Sequence, residues 1–274
     1  MLLLFIIAHC LTSVTGHGRL NLPPSRSTMW RHGFDTPRDY NDHETFCGGF
    51  GRQWKKNRGL CGVCGDPYDV PQPRRLELGG KYGLGVLAAN LTQGQIMEVE
   101  VELTAHHYGY FEFRLCPHNT KTRPVAQTCL DRNLLVLSQL RNLAPPYICD
   151  TCTTENWRTT TTKRTTTSST GRTNTKFYPP PPSATRGLYK LTYQLPPHLT
   201  CSLCVLQWRY VAGNSWGKCS NGTEAVGCGA QEEFRACADL MVASESGWYD
   251  TSPSEATALT LSLTLSLTLL VVSL

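Results

Sequence analysis

Along residues 97–104 apolar and acidic side chains alternate, with Met97, Val99, Val101 and Leu103 on one side and Glu98, Glu100 and Glu102 on the other. A period of two with one apolar and one charged face predicts a half-buried β-strand. A second strand is expected from Tyr110 to Leu115, where Phe111, Phe113 and Leu115 alternate with Tyr110, Glu112 and Arg114. Ala105-His106-His107-Tyr108-Gly109 then becomes a short strand-to-strand connection that carries two histidines. Further strands are predicted at Leu188 to Leu195, Cys204 to Val211 and Phe234 to Val242. Several short strands with turn residues between them, and no long amphipathic helix, indicate an all-β fold: an immunoglobulin/fibronectin-III-like β-sandwich.

Other stretches break the alternation. From His17 to about Pro73 the chain is rich in Gly, Pro, Arg and Asp and has little periodicity, so long ordered loops are expected, pinned by Cys47, Cys61 and Cys64. Residues 153–182 hold a Thr-rich run ending in four prolines and have almost nothing to bury. They predict a disordered insertion over about 153–185, within one domain and open to O-glycosylation. Asn90-Leu91-Thr92 and Asn221-Gly222-Thr223 are acceptor sequons, which places Asn90 and Asn221 on the surface as N-glycosylation sites.

The two ends have a different character. Residues 1–16 contain an apolar run, no charge, and small residues at Val14 and Gly16, which is the pattern of a signal peptide cut after Gly16. Residues 244–274 form a polar spacer and a Leu-rich tail with no charged residue after it, the pattern of a GPI-anchor signal. The expected organisation is therefore a leader (1–16), one domain (17–243) and an anchor signal (244–274), in a protein secreted or held at the outer face of the plasma membrane. Thirteen cysteines, twelve once Cys10 leaves with the leader, suit a disulfide framework in an oxidising compartment. Behind a signal peptide this outweighs zinc binding by the C-x-x-C pairs Cys61/Cys64, Cys149/Cys152 and Cys201/Cys204. The net charge of +5 is scattered, with no basic stripe of the kind nucleic acids require. A monomer is expected, with contact to a membrane through the anchor only.

Cleavage after Gly16 would give His17 two metal-binding nitrogens, its free amine and its imidazole. His106 and His107 could complete a three-nitrogen site. Amine and imidazole donors without thiolates suit copper, with zinc second.

The chain also resembles a known family, the lytic polysaccharide monooxygenases of auxiliary activity family 15. The resemblance rests on His17-Gly18, Pro23-Pro24-Ser25-Arg26, Trp30-Arg31, Gly33-Phe34, Cys47-Gly48-Gly49, the segment from Cys61 to Asp66, Thr104-Ala105-His106-His107, the segments from Gly109 to Cys116 and from Cys201 to Tyr210, Gly213-Asn214-Ser215-Trp216-Gly217 and Cys237-Ala238-Asp239. It implies that His17 and His107 form a histidine brace around copper, with Ala105 over the metal and Phe234 in the axial position, although Phe234 also fits as a core residue of its strand; one of Gln231, Glu232 and Glu233, with Glu232 the first choice, is expected as a donor towards the reacting oxygen. His106 is read as a neighbour. It further implies oxidative cleavage of insoluble β-1,4-linked polysaccharide, chitin first and cellulose second, by hydrogen abstraction at C1 or C4. An external electron donor (a reductant) and O2 or H2O2 as co-substrate would be needed. The competing expectation is a cell-surface copper-binding or chitin-binding protein without oxidative activity.

Overall fold

A computed structural model describes residues 17–140, 174–180 and 187–245. The leader, the Thr-rich run, Cys149, Cys152 and the Leu-rich tail lie outside these residues. Ten strands follow in chain order: β1 (His17–Leu22), β2 (Ala89–Thr92), β3 (Ile96–Ala105), β4 (Tyr110–Pro117), β5 (Val136–Leu140), β6 (Gly187–Gln194), β7 (Cys201–Val211), β8 (Trp216–Lys218), β9 (Glu224–Val226) and β10 (Glu233–Ala243). One sheet has the order β1-β3-β6-β5, a second β2-β10-β7-β4, and β8 and β9 form a separate hairpin. The two larger sheets enclose a core of Leu20, Val99, Val101, Leu103, Tyr189 and Leu191 from one side and Phe111, Phe113, Trp208, Tyr210, Phe234 and Ala236 from the other. This is the expected β-sandwich.

Three expectations need correction. The His17–Pro73 stretch is mostly loop, but it begins with β1, which pairs antiparallel with β3, and holds short helical turns at Met29–His32 and Gly51–Lys56. The pattern of β1 escapes a periodicity search because Leu20 is its only large buried residue and Gly18 occupies the other inward position. A Cβ at Gly18 would stand 2.7 Å from Leu103 Cδ2 and 3.1 Å from Trp208, so glycine is what permits β1 to approach so closely. Secondly, the strands flanking the two histidines belong to different sheets, so the connection crosses the end of the sandwich and does not close a hairpin. Gly109 makes that crossing feasible, with φ +75° and a position where a Cβ would stand 1.9 Å from the Val211 carbonyl oxygen. Thirdly, residues 174–180, counted with the disordered insertion by composition, pack on the domain. Phe177 is fully buried in the core and exchanges backbone hydrogen bonds with Phe111 at 2.8 and 3.1 Å.

β10 is buried on both faces, because the loops of the first hundred residues cover the outer side of its sheet. Under that cover the Arg26 guanidinium donates to both oxygens of Asp239, at 2.8 and 2.6 Å, and to the Leu76 carbonyl at 2.8 Å. Cys64–Cys237 ties the layer to β10 and Cys47–Cys61 closes a loop within it, while Cys116–Cys129, Cys201–Cys204 and Cys219–Cys228 bridge residues elsewhere in the domain. The Cys61/Cys64 pair is thus divided between two bridges. Among the described residues no helix is long and apolar enough to cross a membrane. Asn90 and Asn221 are both exposed.

Candidate metal centre

β1 begins at His17, and its register sets His17 opposite Ala105, the last residue of β3. His107 lies two residues further on, so pairing of the first strand with the third brings both histidines to one end of the sandwich. His107 is 4% exposed and held from three directions. Its backbone N–H donates to the Tyr210 hydroxyl at 2.9 Å, its carbonyl accepts from the Gly213 N–H at 2.8 Å, and its Nδ1 lies 2.9 Å from the Asn214 side-chain amide. Burial pushes the His107 imidazole down to about 4, helped by the neighbouring His106 and His17. The ring is therefore neutral, with a lone pair to offer, at physiological pH.

His106 is differently engaged. Its Nε2 meets the Pro179 carbonyl at 3.0 Å and its Nδ1 accepts from the Tyr108 N–H at 3.2 Å, so both ring nitrogens are occupied by protein.

Phe234 is fully buried on β10 opposite Tyr210, in β7, and its ring stacks on Tyr210 with centroids 5.6 Å apart and on Phe46 at 6.2 Å. It therefore lies directly beneath the residue that holds the His107 backbone.

The three polar residues before Phe234 separate by function. Gln231 braces the turn beside Asn214, accepting from the Ser215 N–H at 3.0 Å and donating to the Cys228 carbonyl at 2.7 Å. Glu233 is committed to Arg209 and Arg235, at 2.6 and 2.7 Å. Glu232 has neither role. It is 9% exposed, accepts from the Phe50 backbone N–H, and is pushed up to about 7 by burial, so it can hold a proton near neutral pH.

His43 and Glu44 belong to the same neighbourhood and carry no periodic or motif signal. The His17 Nε2 lies 3.2 Å from Glu44 Oε1, and the His43 and His17 rings lie 4.9 Å apart. One ligand atom from each of His17, His43 and Glu44 falls within 4.8 Å of the others. Gly18 secures this loop by donating to the His43 carbonyl at 3.1 Å.

The sequence profile of the family described as lytic polysaccharide mono-oxygenase, cellulose-degrading, matches residues 17–240. The chain belongs to this family. Among solved structures, a family AA15 lytic polysaccharide monooxygenase from Thermobia domestica in its Cu(I) state is similar, with 38% identity and a TM-score of 0.66 over 83% of this chain and 99% of that one. A chitin binding domain from Burkholderia pseudomallei aligns over 84% of this chain and 100% of its own at 14% identity and a TM-score of 0.42. No curated protein sequence matches.

The protein is a copper-dependent monooxygenase that cleaves polysaccharide oxidatively. The described residues fit that metal. The buried His107 imidazole is neutral and feels the charge of His17, and the cysteines of the described residues are taken up in disulfides, so the two histidines offer copper nitrogen and not thiolate donors.

Proposed function

We propose that His17 and His107 hold copper as a histidine brace, and that the mature enzyme oxidises C1 or C4 of β-1,4-linked polysaccharide at an insoluble surface. The observation that carries this reading is the β1–β3 register, which sets His17 against Ala105 and so beside His107. The chain amine of His17 joins the donor set only when the peptide bond to Gly16 is cut, so signal cleavage at that bond creates the site.

Bound copper supplies the redox chemistry, with an external reductant and O2 or H2O2 as co-substrate. The protein's own part is positional. Tyr210, Gly213 and Asn214 fix His107; Phe234 fills the space beneath Tyr210 with an inert ring; Glu232 can hold or give up a proton near neutral pH. Tyr40 and Trp216, 66% and 64% exposed, offer rings to the flat face of a polymer, Tyr40 just before His43 and Glu44 in sequence and Trp216 just after Asn214. The AA15 resemblance puts chitin first, and the family description keeps cellulose as the competing substrate. Release to the outer face of the plasma membrane on a GPI anchor, with glycans at Asn90 and Asn221, completes the proposal.

The test is release of oxidised oligosaccharides from chitin and from cellulose by copper-loaded protein that begins at His17, supplied with a reductant. His107→Ala is expected to abolish release, and one extra residue before His17 to do nearly the same. Tight copper binding with no oxidised product from either polymer would count against the proposed substrates and favour a copper-binding role. Full copper affinity in the extended protein would remove the brace.

A further inference from the structure

A histidine that chelates through its own amine must use Nδ1, because amine, Cα, Cβ, Cγ and Nδ1 close a six-membered ring with the metal. Nε2 lies across the imidazole and cannot join the same chelate. A neutral imidazole carries one N–H and one lone pair, so metal binding at one nitrogen requires the proton on the other. Which tautomer forms is decided by what the other nitrogen meets.

The structure answers that question for His17 and, for His107, shows the group that decides it. Glu44 Oε1 stands 3.2 Å from the His17 Nε2, the nitrogen the chelate leaves out. A carboxylate accepts only, so this contact keeps the proton on Nε2 and the lone pair on Nδ1. At His107 the Asn214 Nδ2 stands 2.9 Å from Nδ1, and half a turn of the carboxamide puts Oδ1 in its place. A carboxamide can present Nδ2–H to a lone pair or Oδ1 to an N–H, and a metal at Nε2 requires the second arrangement. The turn that carries Asn214 is itself fixed, since Gln231 bonds both the N–H and the carbonyl of Ser215, at 3.0 and 3.1 Å.

We propose that Glu44 and Asn214 are positioning residues for the copper site, each occupying one ring nitrogen so that His17 offers Nδ1 and His107 offers Nε2. This rests on the brace reading and extends it to residues that touch no metal. Glu44 has the larger effect of the two, because a carboxylate behind an imidazole makes it a stronger donor and favours Cu(II) over Cu(I). The nearby His43 gives the arrangement a rival. If His17 bound a metal through Nε2 together with His43 and Glu44, Glu44 would be a ligand and not an orienting group.

The experiment uses protein beginning at His17, as wild type, Glu44→Ala, Glu44→Gln, Asn214→Leu and His107→Ala. Copper(II) affinity, the Cu(II) electron paramagnetic resonance spectrum and the Cu(II)/Cu(I) potential are measured, with histidine nitrogen shifts recorded in the diamagnetic Cu(I) form. The Glu44 side chain is 36% exposed, so its replacement leaves the fold in place, which near-ultraviolet circular dichroism checks. Expected are a proton on His17 Nε2 and on His107 Nδ1, an affinity loss of about tenfold or more in Glu44→Ala, and a raised potential. Glu44→Gln should recover most of the affinity, since it still accepts from Nε2–H, but not the potential. Asn214→Leu should weaken copper binding without moving the His17 shifts.

Unchanged affinity, spectrum and potential in Glu44→Ala would overturn the proposal while leaving the brace intact, provided His107→Ala still loses copper. Ligation of His17 through Nε2 overturns it in favour of the His43 and Glu44 site. Copper held as tightly by His107→Ala as by wild type overturns the brace and the positioning role together.

Discussion

Tyr210→Phe removes one oxygen atom from the fully buried centre of the sandwich and tests how the fold holds the metal site. The Tyr210 hydroxyl accepts from the His107 backbone N–H at 2.9 Å. The ring stacks on Phe234 at 5.6 Å and Trp208 at 6.1 Å and meets Phe111 edge-on at 5.0 Å. Phenylalanine keeps all of these ring contacts, so no cavity term of the kind that follows Tyr→Ala arises. What remains is the buried His107 N–H left without its acceptor, which costs about 1–3 kcal/mol. In a domain of this size each kcal/mol moves the melting temperature by about 2–4 °C, so a fall of roughly 2–12 °C is expected.

The assay has a global and a local part. Thermal unfolding of the metal-free protein reads the first. Amide hydrogen exchange at His107 reads the second, and the variant should exchange this proton much faster than wild type while the β7 and β10 amides stay protected. Copper affinity should fall as well, because the crossing loop loses one of its three anchors. A melting temperature within 1 °C of wild type, together with unchanged exchange at His107, would refute the claim that Tyr210 fixes this loop.

Two further outcomes concern the rest of the molecule. Arg26→Ala strips both charge-assisted bonds from Asp239 in a site where the two side chains are 2% and 1% exposed, and should destabilise by about 3–5 kcal/mol in denaturant unfolding; a loss below 1 kcal/mol would show that the loop layer does not depend on the pair. Glu232 gives a pH signature. Burial raises it to about 7 in the fold, so the folded protein keeps a proton that the unfolded chain has already released above the ordinary carboxylate range. Its contribution to stability is therefore greatest in acid, falls as pH rises towards 7 and is flat above, by up to roughly 3 kcal/mol. Melting temperatures of wild type and Glu232→Gln should diverge across that window, with the variant gaining relative stability at higher pH; parallel curves would place Glu232 in an ordinary environment.

The strands most legible in the sequence were those whose two faces differ in polarity. β3 shows this well: its outward glutamates and inward aliphatics reproduce the pleat almost to the residue. β7 and β10 are legible as strands but their burial on both faces is not, because Arg209, Arg235 and Asp239 look like a solvent face until the loop layer and its ion pairs are seen. β1 carried too little side-chain mass to register. The candidate ligands were accessible through chemistry and resemblance, a leader ending at a histidine and a His-His pair between strands. Their supports were not. Glu44, Tyr210 and Asn214 lie 27, 103 and 107 residues from the histidines they contact, and no local pattern marks a hydrogen bond closed over such a span.

The position of the site follows from the same arrangement. A chain terminus usually frays, and a metal ligand on the first residue of a mature protein would lose geometry with it. Here residue 17 opens a strand hydrogen-bonded to β3, Leu20 is buried between the sheets, and the Gly18 N–H holds the His43 loop, so a chain cut before residue 17 would be fixed from within three residues of its end. His107, the second ligand we propose, lies in the loop that crosses between sheets, tied to Tyr210 on β7, which is backed by Phe234 on β10. One histidine is thus carried by each sheet system, and the distance between them is set by the packing of the sandwich core. Close-packed interiors resist small displacements, so the core transmits its rigidity to the pair. The Cys64–Cys237 bridge extends this by fixing the loop layer to the outer face of β10, while Phe46 stacks on Phe234 at the inner face. On this view the disulfides and the aromatic core are what hold the donor nitrogens ready before the metal arrives.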